Sequence, residues 1–136
     1  MRIRETTALI LFGALVWAGC SSGDGLERYR VSGEVKFDGQ PVPFGEVLFT
    51  PDGSKGNSGA QGIAEIKDGK YDTQGSRAPG TAGGPTVVRV MAFRDGGGKE
   101  LICEHESQVD LPKAATTHNI DIPADAAKRK PGTPEI

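Results

Sequence analysis

The densest group of side chains able to bind a metal lies in one short run, Cys103-Glu104-His105-Glu106. Alternate residues of a β-strand point to the same face, which would bring Cys103 and His105 together. His118 falls in the strand that we expect to be the neighbour, so the three side chains could contribute to a zinc site. A structural zinc ion takes four ligands, however, and this group supplies three. We therefore predict no metal site, a buried Cys103 thiol and two histidines at the surface.

Motifs of nucleophilic catalysis and of phosphate binding are missing from the sequence. No G-x-S-x-G occurs, and no nucleophile stands beside a candidate base in a recognisable motif. The run Gly96-Gly97-Gly98-Lys99 lacks the spacing and the Ser or Thr of a P-loop, which favours a hairpin turn. We predict a protein that is not an enzyme, with no catalytic residues and no cofactor. An envelope hydrolase, the least favoured alternative, would need a cleft in which titratable groups converge.

Four aromatic residues offer a different kind of site. Tyr29, Phe44, Tyr71 and Phe93 could stack on a sugar ring if they were exposed together. Tyr29, Tyr71 and Phe93 lie in predicted strands and Phe44 ends a predicted loop or edge, and alternating positions of strands are typical of the core. We therefore expect these side chains to be core residues, and an exposed pair in a groove would favour a carbohydrate-binding module instead.

The N-terminal segment has the order of a secretory signal peptide. A positive start, MRIR at 1–4, precedes ten apolar or small residues at 8–17 and then Ala18-Gly19-Cys20. Ten residues are too few to span a bilayer, which needs about 20. An ordinary signal peptide with a coincidental cysteine, and a retained or buried N-terminal helix, remain alternatives.

The residues before Cys20 resemble a bacterial lipobox, with Ala18 and Gly19 matching the pattern and Trp17 standing where Leu is usual. The resemblance implies that Cys20 receives a diacylglycerol group and becomes the first residue of the mature chain. Two or more acyl chains give stable membrane attachment. Ser21, rather than Asp, follows the cysteine and is similar to signals for the outer membrane. With Cys20 acylated, Cys103 is left as a lone thiol, because the chain has two cysteines.

The composition limits both the fold class and the partner class. The 136 residues include 20 Gly and 9 Pro, which are poor in helix interiors and argue against a helical bundle. Hydrophobic residues make up 36% and aromatic residues 6%, so the core is small. Lys and Arg number 16 against 18 Asp and Glu, which argues against a nucleic-acid partner because such proteins carry a basic excess.

Alternation of apolar and polar residues predicts seven short strands. In the first, Val31, Val35 and Phe37 lie on one side while Glu34 and Lys36 lie on the other. Asp-Gly pairs at 38–39 and 68–69 are signals for tight turns. The strand over 86–93 is apolar on both faces, which indicates a central strand or one that another part of the protein covers. The predicted strands cover 28–37, 46–50, 59–67, 70–73, 86–93, 101–111 and 116–122. The segment 40–44 is a predicted loop or edge, and 74–85 is a predicted loop or sheet-crossing connection.

The strand and turn residues resemble those of a known family. VSGEVKFDGQPV at 31–42 and GEVLFTP at 45–51 look like the opening of a carboxypeptidase-regulatory-like, transthyretin-like domain. DGKY at 68–71, GGPTVVRV at 83–90 and VDLP at 109–112 are similar to later stretches of small bacterial lipoproteins of this type. The resemblance covers about residues 29–123 and implies a prealbumin-like, antiparallel β-sandwich of about seven strands without catalytic residues. Its motifs belong to turns and core, so they indicate fold and leave function open.

These observations combine into one expectation for the chain. We predict a signal peptide (1–19), a lipidated N-terminus and flexible tether (20–27), a β-sandwich (28–123) and a disordered C-terminal tail (124–136). The expected function is that of a non-catalytic lipoprotein of the cell envelope, held by the lipid on Cys20 at the outer membrane on its periplasmic or surface side. Its partner would be an envelope protein or polysaccharide, with a carbohydrate- or small-ligand-binding module as the alternative.

Overall fold

The computed structural model describes residues 27–128, and its regular secondary structure is almost all β-strand, with 55% strand and 6% helix. The predicted signal peptide, Cys20 and most of the tether lie outside the described residues. The nine strands are β1 (Val31–Phe37), β2 (Gln40–Pro41), β3 (Phe44–Pro51), β4 (Gly62–Lys67), β5 (Lys70–Asp72), β6 (Gly84–Phe93), β7 (Leu101–Leu111), β8 (Thr116–Thr117) and β9 (Ile120–Ile122). The all-β prediction is confirmed.

The period-2 pattern read from the sequence correctly identifies the buried face of β1 and of β3. Val35 in β1 is fully buried between the exposed Glu34 and Lys36, and Val47 in β3 is fully buried between two half-buried residues. This alternation arises because successive side chains of a strand point to opposite faces. The core is a single cluster of small and β-branched side chains with few aromatics: Val31, Val35, Val42, Val47, Phe49, Ala64, Ile66, Tyr71, Val88, Val90, Ala92, Cys103, Leu111, Ile120, Ile122 and Ala126.

Both predicted Asp-Gly turns are present. Asp38 and Gly39 have φ values of 51° and 75°, and Asp68 and Gly69 have 52° and 76°. Positive φ at both central residues defines the type I′ turn, whose twist matches that of the adjoining strands. The first turn joins β1 to the short edge strand β2, and the second joins β4 to β5.

The nine strands form one continuous curled sheet. Its order is β2-β1-β5-β4-β3-β6-β7, with β8 and β9 added to β1. β6 lies between β3 and β7, as its two apolar faces predict. Among the strands of residues 27–128, the ladder of β4 with β5 joins the half containing β3, β4, β6 and β7 to the half containing β1, and its paired residues are Ile66 with Tyr71 and Lys67 with Lys70.

The last predicted strand differs from expectation in two ways. β8 and β9 run parallel to β1, so the sheet is not wholly antiparallel. This direction follows from where β7 ends. Leu111 lies beside the start of β6, at the end of the sheet where β1 also begins, so the chain that continues from Leu111 runs in the same direction as β1. The segment is also interrupted, because the Asn119 side-chain oxygen accepts the Glu34 amide (3.0 Å), which replaces a main-chain ladder bond.

The ordered part of the chain continues beyond Pro123, where we expected the disordered tail to begin. Ala124–Lys128 forms a short 3-10 helix that contacts β7. Ala126 is 4% exposed and belongs to the core. The sequence contained little indication of this helix, because one buried alanine produces no periodic pattern. Residues 129–136 of the predicted tail lie outside the described part of the chain.

Candidate functional site

The residues considered for zinc binding are not brought together. Cys103 and His105 do share a face of β7, with Cys103 buried and His105 half-buried. His118, however, lies between β8 and β9 next to β1, whereas the strand paired with β7 is β6. The expectation that His118 sits on the strand beside Cys103 is therefore wrong. Within residues 27–128 no three His, Cys, Asp or Glu side chains are close enough to hold a metal ion.

Cys103 is the free, buried thiol that the sequence predicts. Its exposure is 3%, and burial raises the pKa of the thiol because the charged thiolate loses its hydration. Nucleophilic chemistry requires the thiolate, so this environment is that of an inert core cysteine.

The predicted lipid-attachment residue, Cys20, lies outside the described residues. The first described residue is Glu27, and the strand bridge between Tyr29 and Thr81 fixes the chain soon after it. Seven residue steps separate Cys20 from Glu27, a reach of at most about 25 Å. No helix within 27–128 has the length and apolar content needed to cross a membrane.

The four aromatic residues divide into a core residue and three that are half-exposed. Tyr71 is 4% exposed, packs on Phe49 at a ring-centroid distance of 5.8 Å and donates its hydroxyl to the His118 carbonyl at 2.5 Å. Tyr29 is half-buried near the N-terminal end and donates to Glu27 at 2.6 Å. The prediction that all four are core residues is correct for Tyr71 alone.

Phe44 and Phe93 form a cross-strand pair on the outer face of the sheet. They are directly opposite each other in the β3–β6 ladder, and both are half-exposed. The inner face at this place is occupied by Gly45 and Ala92, so the two phenyl rings are left on the solvent side. Cross-strand neighbours on one face lie about 5 Å apart, close enough to form one apolar surface.

This pair lines a groove of about 420 Å³ at the end of strands β3, β4 and β6. The turn that follows β6 forms one wall, and a Cβ atom added at Gly96 would lie 3.4 Å from the Phe44 ring. Polar side chains complete the lining, namely Glu46, Glu65, Lys67 and Asp95. A groove with two aromatic rings and a few polar groups is a typical small-ligand site.

Two of the groove carboxylates already have structural partners. Asp95 accepts main-chain amides from Glu100 (2.8 Å) and Lys99 (3.1 Å), which hold the turn and lower the pKa of Asp95. Glu46 accepts a hydrogen bond from Arg77 at 3.0 Å. Glu65 and Lys67 are exposed and belong to no ion pair recorded among the described residues. These two side chains are therefore free to bind hydroxyl groups of a ligand that stacks on the rings.

The groove lies at the opposite end of the strands from the N-terminus of the described chain. β3 begins at Phe44 and runs toward Phe49, which pairs with Gly62. The main chain of Gly62 closely approaches Gly80, next to the Tyr29–Thr81 bridge. The chain from Cys20 thus enters at the Phe49 end, and the groove opens at the far end.

The sequence named Phe44 and Phe93 but not their polar neighbours. Glu65, Lys67 and Asp95 carry no motif, and only the register of β3 with β4 and β6 brings them together. The faint glycine signal at 96–98 does mark the turn, as predicted, and that turn forms the wall of the groove. In comparisons with known proteins, no family model, no curated protein and no solved structure matches the chain.

Proposed function

We propose that the protein is a non-catalytic, lipid-anchored module of the cell envelope, attached through Cys20 and built to bind a partner at the end of the domain away from the membrane. The observation that carries the proposal is the position of the Phe44–Phe93 groove. Because the chain enters at the opposite end, a short tether to a membrane leaves the groove facing away from the lipid surface.

The proposal includes the finer fold assignment, a prealbumin-like β-sandwich related to carboxypeptidase-regulatory-like domains. Its support is the narrow connection between the two halves of the curled sheet. Two residue pairs of the β4–β5 hairpin join them, while buried side chains from both halves, such as Val35 and Val47, belong to one core. Two sheets packed over one core would have this arrangement.

The anchoring part of the proposal is tested by detergent partitioning and by inhibition of signal cleavage. The wild-type protein should partition into detergent and accumulate as a larger precursor in the presence of globomycin. The variant Cys20→Ser should appear in the aqueous phase or as the uncleaved form. Unchanged detergent partitioning of Cys20→Ser would show that the attachment is not through a lipid on this residue.

A carbohydrate or small polar ligand with an apolar face is the second candidate function, and the half-exposed aromatic pair favours it. Aromatic rings take the apolar face of a sugar, and Glu65 and Lys67 are placed to bind its hydroxyl groups. The test is calorimetric titration of the protein with soluble cell-wall and capsular oligosaccharides. Phe44→Ala and Phe93→Ala should each weaken binding by about tenfold or more, as expected for aromatic anchors in binding sites.

Tyr29→Ala is the matched control for this titration. It removes another half-buried aromatic ring, but at the end of the domain away from the groove. If Tyr29→Ala weakens binding as much as Phe44→Ala does, the groove is not the site. If no oligosaccharide binds, the carbohydrate candidate fails and the anchored interaction module remains.

A further inference from the structure

Two pairs of like charges lie directly opposite each other on the outer face of the sheet, beside the groove. Glu46 of β3 is opposite Glu65 of β4, and Lys67 of β4 is opposite Lys70 of β5. Like charges at such cross-strand positions destabilise a sheet. Proteins keep features that oppose folding mainly where a function requires them, so these two pairs direct attention to a ligand.

Neighbouring strands compensate one member of each pair. Glu46 accepts a hydrogen bond from Arg77 at 3.0 Å, and Lys70 has Glu34 of β1 on its other side. The two charged side chains of β4 have no such compensation, because they form no hydrogen bond or ion pair recorded between residues 27 and 128. One carboxylate and one ammonium group of opposite sign are therefore left over on a single strand.

These two residues, Glu65 and Lys67, both line the groove that contains the aromatic pair. They are exposed on the same face of β4, at positions about 7 Å apart along the strand. Lys67 lies opposite Phe44 in the ladder of β3 with β4. A negative and a positive group thus stand side by side next to the two phenyl rings.

The charges distinguish between classes of ligand. A cationic ligand would satisfy Glu65 and add positive charge next to Lys67, and an anionic ligand would have the opposite defect. A neutral sugar would leave both like-charge pairs as they are. A ligand with one ammonium and one carboxylate group complements both side chains, and the phenyl rings offer contact area to an aliphatic side chain of that ligand.

We propose that the groove binds a small zwitterion, an apolar amino acid or a short peptide with free termini. Its ammonium group faces Glu65, its carboxylate faces Lys67, and its aliphatic side chain packs on Phe44 and Phe93. A groove of about 420 Å³ is within the usual size range of sites for ligands this small. The proposal rests on the binding role proposed above for the groove and names the ligand class.

The probes are leucine and two analogues that each lack one charged group, isocaproate without the ammonium and isoamylamine without the carboxylate. They are titrated against the full-length protein in detergent at neutral pH, and amide chemical shifts are followed by NMR. Leucine should shift the amides of β3, β4 and the turn after β6. Each analogue should bind at least about threefold more weakly, because it leaves one charged side chain unsatisfied. Leucyl-leucine, with more widely spaced termini, shows whether the free amino acid or the peptide binds more tightly.

Two neutralising variants assign each charge. Glu65→Gln should remove the preference for leucine over isocaproate, and Lys67→Gln should remove its preference over isoamylamine. Each variant also separates one pair of like charges, so its midpoint of thermal unfolding should be at least as high as that of the wild-type protein. A purely structural ion would show the opposite result, a lower midpoint.

Asp110→Asn and Lys113→Gln are the matched controls. Both remove an exposed charge at the opposite end of the strands, where Asp110 is paired with Pro85 and Lys113 lies beside Gly83. Neither should change the affinity for leucine or the preference over its analogues. Weakening by a control as large as that by Glu65→Gln would mean that net charge, rather than the groove, determines binding.

Three further outcomes overturn the proposal. Equal affinity for leucine and both analogues would show that the groove recognises apolar surface alone. Binding of a neutral oligosaccharide that depends on Phe44, without binding of leucine or leucyl-leucine, would refute the zwitterion and leave the groove as a binding site. If neither class of ligand binds, the groove itself fails, while detergent partitioning of Cys20→Ser still decides the anchoring role separately.

Discussion

Tyr71 places a hydroxyl group inside the core and gives it one acceptor, the His118 carbonyl between β8 and β9. Burial raises the pKa of this phenol well above its ordinary value, because the charged form would lose its hydration. The bond links β5 to the segment that closes the sheet on the other side of β1. One side chain therefore joins parts of the chain that are 47 residues apart.

Removing this hydroxyl should have a measurable cost. Tyr71→Phe leaves the His118 carbonyl without its side-chain donor, and we expect the free energy of unfolding to fall by about 1–2 kcal/mol. Urea denaturation monitored by circular dichroism gives the measurement. The control is Tyr29→Phe, whose exposed hydroxyl bonds to Glu27, and it should change stability by less than about 0.5 kcal/mol. Equal effects of the two variants would contradict the structural role of the buried bond.

His118 gives the stability a dependence on pH near neutrality. Burial lowers its pKa below the ordinary value of 6.5, so the unfolded chain binds a proton before the folded chain does. Stability should therefore be complete above about pH 6.5 and should decline as the pH falls from there toward the lower pKa of the folded state. Asp52, Asp72 and Asp95 have lowered pKa values and should lose their stabilising effect only below their ordinary value of 3.8.

The measurement is the midpoint of thermal unfolding of wild-type protein and His118→Gln between about pH 7.5 and 5. The variant should show a flatter profile in this range and the same loss of stability at acid pH. If the wild-type and variant profiles are parallel from pH 7.5 to 5, another group is responsible for any change.

At the scale of the elements, the sequence was most informative where apolar and polar residues alternate. β1, β3 and β4 alternate between a buried and a less buried face as the pattern predicts, since alternation depends on one strand alone. The direction of β8 and β9 could not be obtained in this way. It depends on which end of the sheet the chain reaches after Leu111, and this is a property of the whole topology.

The contact between β1 and the last segment requires a residue without a side chain. A Cβ atom added to Gly33 would lie 2.2 Å from the His118 carbonyl oxygen, a distance at which main chain must move. Gly33→Ala should therefore lower the free energy of unfolding by about 2–3 kcal/mol, in the upper range for overpacking of a core. Chemical denaturation measures the change.

Gly53→Ala is the control for this substitution. A Cβ atom at Gly53 would meet nothing within 4 Å, and its backbone is outside the left-handed region. We expect a change within about 0.5 kcal/mol. A Gly33→Ala variant as stable as Gly53→Ala would mean that β1 and the His118 segment are not packed as closely as described.

At the scale of the whole molecule, the candidate groove shows why a site is harder to predict than a strand. Phe44 and Phe93 occupy alternating positions, and the sequence cannot tell which of the two faces will be covered. Here the covered face carries Val47, Phe49 and Val90, and the aromatic pair remains on the other. The sequence identified the two aromatic residues as candidates, and the pairing of β3 with β6 in the folded sheet brings them together on one exposed surface.

The C-terminal 3-10 helix extends the folded domain past the predicted boundary at Pro123. Introducing a charged side chain at its buried position tests whether this helix packs on the core. Ala126→Asp would bury a carboxylate in the core and should lower the free energy of unfolding by at least about 2 kcal/mol. Ala124→Asp, two residues earlier and exposed, is the control and should be close to neutral. Thermal and urea denaturation compare the two. Similar stabilities would show that the segment after Pro123 does not pack on the core.

The parallel pairing of β1 with β9 has a mechanical consequence. The chain enters this strand pair at Val31 and leaves it at Ile122, at opposite ends. Tension applied between the two ends of the domain therefore acts along the strands, and the bonds between Val35–Phe37 and Ile120–Ile122 share the load and must break together. Survival under such a load depends on the rate of unfolding rather than on equilibrium stability. A pull between its N-terminal and C-terminal ends therefore meets the domain with its first and last strands arranged in shear.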